Sequence, residues 1–180
     1  TYKFPSNFRP ERTNSWEAGL TTRFFNNALT LDVTLYQSNT RNQTMLRPIT
    51  AAEGYTAEYV QTGNVRNRGI ELSLGYGHTW GDFAWNTSFT YSANRNKIVE
   101  LLADENEVID KNGLNGAAII LKKGGTMGDV YMKSDFKRDA EGNVAIKDGN
   151  VSQENLTNPS YRGSVLPKGN IGFFNDFSWK

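Results

Sequence analysis

Apolar and polar residues alternate along this chain over unusually long segments, the period of a strand whose two faces meet different surroundings. Through positions 13 to 24 the even residues read Trp16, Ala18, Leu20, Thr22 and Phe24, and the odd ones Ser15, Glu17, Gly19, Thr21 and Arg23. The parity then inverts, with Leu29, Leu31, Val33 and Leu35 on one face and Thr30, Asp32, Thr34, Tyr36 and Ser38 on the other. A third apolar face runs Ile70, Leu72, Leu74, Tyr76 and Trp80, opposite Glu71, Ser73, Gly75 and Gly77. A fourth runs Phe83, Trp85, Thr87, Phe89 and Tyr91, opposite Ala84, Asn86, Ser88, Thr90 and Ser92. A shorter fifth sets Ile171, Phe173, Phe177 and Trp179 against Gly172, Asp176 and Ser178, with Phe174 and Asn175 interrupting it. The pattern predicts strands at about 13–25, 29–41, 67–80, 83–97 and 170–180. Helical periodicity is confined to a weak trace near Ile98 to Leu102.

The turns agree with these strands. Asn26-Asn27 and Gly81-Asp82 are two-residue connections of the kind that suits primed hairpin turns, where φ is positive. Closing them pairs Phe25 with Ala28 and Trp80 with Phe83, so that even positions on one strand face odd positions on the next. The apolar parity flips in the same way across each turn. The remaining connections, about 42–66 and 98–169, are long and rich in Gly, Asp, Asn, Glu and Lys, with hairpin-like pieces at Gly142-Asn143 and Asp148-Gly149. A compact soluble domain seldom needs loops of that length.

Alternation alone fits a soluble β-sandwich as well as a membrane sheet. Three features favour the membrane. The strands run to about a dozen residues, against roughly 5–6 in soluble sheets and roughly 9–11 for a tilted membrane strand. Aromatic residues collect at the tight-turn end, where Phe24, Trp80, Phe83, Trp85 and Trp179 form a candidate lipid-interface girdle. The polar face mixes Gly, Ser, Thr and Asn with isolated charges, which suits a wet or plugged lumen. Composition sharpens the point: ten Phe, eight Tyr and four Trp coexist with a mean hydropathy of −0.60. Open sheet edges in hydrocarbon cost several kcal/mol for each unsatisfied backbone group, on the order of the desolvation penalty for a peptide group, so five strands are not a complete barrel. The chain also opens on Thr1 instead of Met, and is expected to be an internal piece of something longer.

Charge and motifs exclude other classes. Twenty Lys+Arg against 19 Asp+Glu leave a formal charge of +1, which provides no field for nucleic acid. Absence of Cys removes thiolate metal sites and Cys nucleophiles, and the single His78 lies on the apolar face beside Trp80. No phosphate loop, Ser-His-Asp set or zinc motif is present, so no enzyme, metal or cofactor is expected. Asp139 to Gly142 and Lys147 to Gly149 lack the spacing of a calcium loop and read as hairpin turns.

Arg9-Pro10-Glu11-Arg12-Thr13-Asn14-Ser15-Trp16-Glu17-Ala18-Gly19-Leu20, then Arg23-Phe24-Phe25-Asn26-Asn27 and Leu31-Asp32-Val33-Thr34-Leu35-Tyr36, resemble the barrel region of SusC/RagA-type TonB-dependent outer-membrane receptors. Gly63-Asn64-Val65-Arg66-Asn67-Arg68-Gly69-Ile70-Glu71-Leu72-Ser73-Leu74 extends the likeness. Weaker matches follow at Gly128-Asp129-Val130-Tyr131, Asp139-Ala140-Glu141-Gly142-Asn143 and Pro167-Lys168-Gly169-Asn170. The resemblance implies an all-β fold: consecutive antiparallel strands of a large transmembrane β-barrel of about 22 strands, with long extracellular loops. Residues 1–180 would all belong to one barrel domain in the outer membrane of a Gram-negative bacterium. The plug domain and the segment that contacts TonB would lie outside this chain. The implied function is TonB-coupled import of oligosaccharides or peptides, with a SusD-like lipoprotein as lid. A siderophore or vitamin receptor is the alternative within transport, and a soluble β-sandwich that binds carbohydrate or mediates adhesion is the alternative outside it.

Orientation follows from the loops, since short turns in such barrels are periplasmic and long loops extracellular. Glu17, Arg23, Asp32, Tyr36 and Glu71 then face the lumen and are candidates for contact with the plug or solute. Ordinary lumenal charge pairing, for instance Arg23 with Asp32 across the first hairpin, is the plainer account. Tyr55, Tyr59, Tyr131, Phe136 and Tyr161 fall in the long loops and are candidate solute or lid contacts, because aromatic rings give rigid contact area. Packing of the loops on each other or on a lid accounts for them equally well.

Overall fold

The computed structural model describes residues 1–49, 54–61, 63–101, 107–109 and 116–180. In chain order the strands are β1 (Tyr2–Lys3), β2 (Arg12–Phe24), β3 (Leu29–Arg41), β4 (Thr44–Pro48), β5 (Ala57–Gln61), β6 (Asn64–Trp80) and β7 (Phe83–Glu100). They are followed by β8 (Glu107–Ile109), β9 (Ala117–Lys122), β10 (Asp129–Phe136), β11 (Ile146–Lys147), β12 (Asn150–Val151), β13 (Gln153–Ser164) and β14 (Asn170–Trp179). Contacts divide the chain into two compact units. The sheet unit comprises Arg12–Arg41, Val65–Lys97 and Pro167–Lys180, and the loop unit Thr1–Glu11, Asn42–Asn64 and Ile98–Leu166.

The sheet unit is built from its longest strands, laid side by side in the order β14-β7-β6-β3-β2. Its first hairpin has the register that the alternation requires: Phe24 faces Leu29, Leu20 faces Val33 and Glu17 faces Tyr36. The turn is closed by the Ala28 N–H donating to the Phe25 carbonyl at 3.1 Å, with Asn26 at φ 54° and Asn27 at φ 69°. Two central residues with positive φ define a type I′ turn, whose twist matches the flanking strands, and Asn tolerates that region better than most residues. In the second hairpin Gly81 takes φ 59° while Asp82 does not, the type II′ pattern. β14 pairs antiparallel with β7 along its whole length, from Asn170 opposite Ser92 to Trp179 opposite Phe83.

Parity holds across all five strands, so Leu31, Leu72 and Phe89 share one face with Trp16, Leu20 and Phe173. None of the first three is buried, and Leu20 and Phe173 are 60% and 71% exposed. Among the described residues no second layer of this unit covers the apolar face, and Val65 is its only buried apolar residue. Three hydrogen bonds tie polar side chains on that face to the sheet itself. Thr87 Oγ1 donates to the Phe174 carbonyl (3.0 Å), Thr22 Oγ1 lies 3.5 Å from the Leu31 carbonyl, and the Trp85 indole N–H donates to Asn175 Oδ1 (3.0 Å). Asn175, which interrupts the alternation in sequence, is thereby given a partner.

The loop unit is differently made. The regions expected as loops carry short strands: β1-β5-β4 form one sheet, β13-β10-β9-β8 another, and β11-β12 a small hairpin. β1 pairs with β5 in parallel, an exception to the antiparallel rule elsewhere. The reason these segments are ordered is a core that composition conceals. Ala57, Val60, Ile98, Leu101, Ala118, Ile120 and Leu121 are buried, Ile98 and Ile120 completely. Buried Asp129 is satisfied locally, accepting from Thr126 N–H (2.9 Å) and Thr126 Oγ1. At β11–β12, Asp148 (φ 52°) and Gly149 (φ 74°) make the turn between paired Lys147 and Asn150.

Candidate functional site

Three features of the described residues are concave or chemically distinctive. The first is a trough of about 570 Å³ on the polar face of the sheet unit, whose walls include Asp32, Thr34, Glu71, Ser73, Thr90 and Asn170. Two of the sequence candidates, Asp32 and Glu71, meet here. Tyr36 lies along the same face, opposite Glu17, with its ring over Gly69; a Cβ on Gly69 would come within 2.5 Å of the Tyr36 hydroxyl. A side chain at Gly69 would collide with the Ala93 backbone carbonyl on the neighbouring strand as well as with the tyrosine, so this glycine is required by close approach. Arg23 stands opposite Thr30, nearer the turn. Arg23 and Asp32 occupy diagonal positions, yet no ion pair joins them.

The second feature is a continuous aromatic cluster on the apolar face near the Gly81-Asp82 turn. Trp80 stacks on Phe83 (6.1 Å), Phe83 contacts both Phe177 and Trp179, and Trp85 lies parallel to Phe177 at 6.1 Å. Tyr76 meets Trp85 edge-on, and His78 packs against Trp80 at 4.5 Å. Four of the five girdle candidates thus join in one cluster, while Phe24 contacts Phe25 instead. The cause is the register: Phe177 opposes Trp85 and Trp179 opposes Phe83 on adjacent strands.

The third feature lies in the loop unit. A pocket of about 610 Å³ is lined by Lys3, Phe4, Arg9, Glu58, Tyr59, Gln61 and Glu100 among others. Phe4 stacks on Tyr59 with ring centroids 4.8 Å apart, and Tyr2 approaches Tyr59 edge-on at 5.7 Å. The walls are latched by side-chain-to-backbone hydrogen bonds. Gln61 Nε2 donates to the Arg9 and Asn42 carbonyls, Gln61 Oε1 accepts from Arg9 N–H, and Asn42 Nδ2 donates to the Pro10 carbonyl. A smaller pocket of about 320 Å³ holds Phe136 with Asp135, Arg138, Gln153 and Arg162. There Arg162 forms an ion pair with Asp135. The Phe136 N–H, and then Arg162, hold the Asp135 carboxyl below its ordinary value. Asp139 is lowered chiefly by the Asn143 N–H.

The five loop aromatics do not converge. Tyr131 and Tyr161 face one another across β10 and β13 (5.4 Å), with Lys122 Nζ 4.7 Å from the Tyr131 ring centroid. Tyr59 lies in the larger pocket and Phe136 in the smaller, while Tyr55 lines none of these features. Phe4, Arg9, Gln61 and Glu100 escape a reading of the sequence. The pairing of Tyr2 with Ala57 that sets Phe4 beside Tyr59 leaves no local signal.

The model of the family described as "TonB dependent receptor-like, beta-barrel" matches residues 1–178. The chain belongs to this TonB-dependent receptor barrel family. TonB-dependent receptor P3 of Formosa agariphila is 30% identical over 129 residues, which are 69% of this chain and 13% of that protein. TonB-dependent receptor P39 of the same organism is 27% identical over 122 residues, 67% of this chain and 11% of that protein. The chain therefore spans a small part of the length of the curated TonB-dependent receptors it matches. A solved structure of the RagAB peptide transporter superposes with a TM-score of 0.73 at 23% identity, covering 94% of this chain and 20% of that one. The likeness shows a shared fold over nearly the whole chain.

Proposed function

We propose that this chain forms part of the wall and outward loops of a SusC/RagA-type importer, with all 180 residues in one barrel domain of the outer membrane. One observation carries the reading: no second layer of the sheet unit covers its apolar face among the described residues, and the Trp85 indole and the Thr87 hydroxyl on that face find their partners within the sheet, as hydrocarbon demands. A soluble sandwich needs a second sheet over Leu31, Leu72 and Phe89. The turns at Asn26-Asn27 and Gly81-Asp82 face the periplasm, the aromatic cluster lies at that interface, and the loop unit meets solute outside. Glu17, Arg23, Asp32, Tyr36 and Glu71 line the lumen, where the trough receives the plug of the intact receptor. Work consists of selective binding and passage once TonB moves the plug, with no bond made or broken. A SusD-like lipoprotein is the partner outside, and the solute is a peptide or oligosaccharide.

Uptake tests the proposal directly. A Gram-negative strain lacking the receptor should lose accumulation of labelled oligopeptide or oligosaccharide. The intact gene should restore it, but only in cells with an active TonB system. Restoration without TonB, or uptake of ferric chelates alone, would overturn it.

A further inference from the structure

The pocket beside β1 and β5 has the chemistry of a peptide site, and this inference deepens the import reading on which it rests. Its first element is an open strand edge. β4 pairs with all of β5, whereas β1 pairs only with Ala57 and Glu58. β1 ends just before Phe4-Pro5, and Pro5 has no N–H to continue the ladder. On that side Tyr59, Val60 and Gln61 therefore have no strand partner among the described residues, and the same three line the pocket. An extended peptide adds to such an edge by main-chain hydrogen bonds, which a sugar does not supply.

The second element is an aromatic platform. Phe4 stacks on Tyr59 yet remains 66% exposed, leaving one face free for an apolar side chain. The third is a pair of opposite charges. Arg9 and Glu100 both line the pocket, and neither side chain has an ion pair or hydrogen bond with another described residue. Both termini of a free peptide find an opposite charge here, whereas a neutral oligosaccharide offers these side chains only uncharged hydroxyl partners. The fourth is rigidity. Gln61 and Asn42 spend their amides on the Arg9, Pro10 and Asn42 backbone, so the wall is set before a ligand arrives. The volume, about 610 Å³, suits a short peptide.

We propose that this pocket binds a short peptide with free termini. Its main chain lies on the open edge of β5, an apolar side chain rests on Phe4, the carboxylate faces Arg9 and the ammonium faces Glu100.

Titration calorimetry on the intact receptor in detergent tests the site, with Leu-Phe-Leu, its C-terminal amide, its N-acetyl derivative and maltotriose as probes. Amidation should weaken binding about tenfold in the wild type, the loss of one charge-assisted contact, and not at all in Arg9→Gln. Acetylation should behave in the same way with Glu100→Gln. Arg9→Lys should restore discrimination against the amide, which separates lost recognition from misfolding. Phe4→Ala should weaken all three peptides several-fold. If both penalties persist unchanged in the variants, the termini are not read here and the proposal falls. If maltotriose binds and no peptide does, the substrate class is wrong while the import reading stands. Cells that take up neither solute through this receptor would sink the import reading itself.

Discussion

The sheet unit and the loop unit are made of similar residues and are stabilised in opposite ways. In the loop unit Ile98, Ile120 and Leu121 are sealed by their own chain; in the sheet unit Leu20, Phe173 and Trp179 are left open. A water-soluble unit buries its apolar side chains on itself. A membrane wall uses lipid as the missing half of its core, so its strands are satisfied along the backbone and bare on one face. In the sheet unit Leu20, Phe173, Phe177 and Trp179 are exposed on a single face, the face that the import reading sets against hydrocarbon.

The comparison is most exposed to truncation of a buried side chain. Ile120→Ala should cost about 2–5 kcal/mol in the loop unit, because the methyl groups are lost and a cavity remains. Leu31→Ala in the sheet unit should cost much less, since lipid flows into the space. Hydrogen exchange of β9 and β10 against that of β2 and β3, in the intact receptor, measures the difference. Equal losses would mean that both units possess a dry protein core.

Charge reverses the ranking. Leu72→Arg on the apolar face should destabilise the receptor in bilayers by about 2–4 kcal/mol, whereas Ser73→Arg, one residue along on the polar face, should be nearly neutral. Urea unfolding of the receptor in liposomes reads both. Next comes the polar pair embedded in the apolar face. Trp85→Phe leaves Asn175 Oδ1 without its donor and should cost about 1–3 kcal/mol, while adding Asn175→Leu should recover most of that loss.

The smallest effect belongs to the loop unit and depends on pH. Asp135 is held below its ordinary carboxylate value by the Phe136 N–H and by Arg162. A lowered folded pKa means stability that is present above the unfolded value and is lost as pH falls through the folded one. Protection of β10 and β13 amides, relative to the intrinsic exchange rate at each pH, should therefore fall on acidification below the ordinary carboxylate range. Asp135→Asn should remove this dependence, and persistence of the full acid response in the variant would assign it elsewhere.

Much of the sheet was legible because its determinants are local. A side-chain period of two fixes the faces of each strand, and the Asn26-Asn27 turn fixes which residues oppose each other, down to Glu17 facing Tyr36. The aromatic cluster followed, apart from Phe24, whose neighbour Phe25 took its ring contact. The loop unit was not legible in this way. Its strands are two to a dozen residues long, and Tyr2 finds Ala57 across an intervening hairpin that encodes nothing about the meeting. Candidates there were chosen for being aromatic, which found Tyr59 but neither its partner Phe4 nor the charges at Arg9 and Glu100. Asp32 and Glu71 were brought to one trough by strand order, a property of pairing that no single strand carries.

Sequence alone determined which residues share the apolar face of the sheet and which the polar face, since backbone pleating and turn stereochemistry act within a few residues and leave a periodic trace. Tertiary structure decided which distant segments share an edge, a core or a pocket. Those choices depend on the summed burial of side chains such as Val60, Ile98 and Ile120, and a sum over remote partners is written at no one place along the chain.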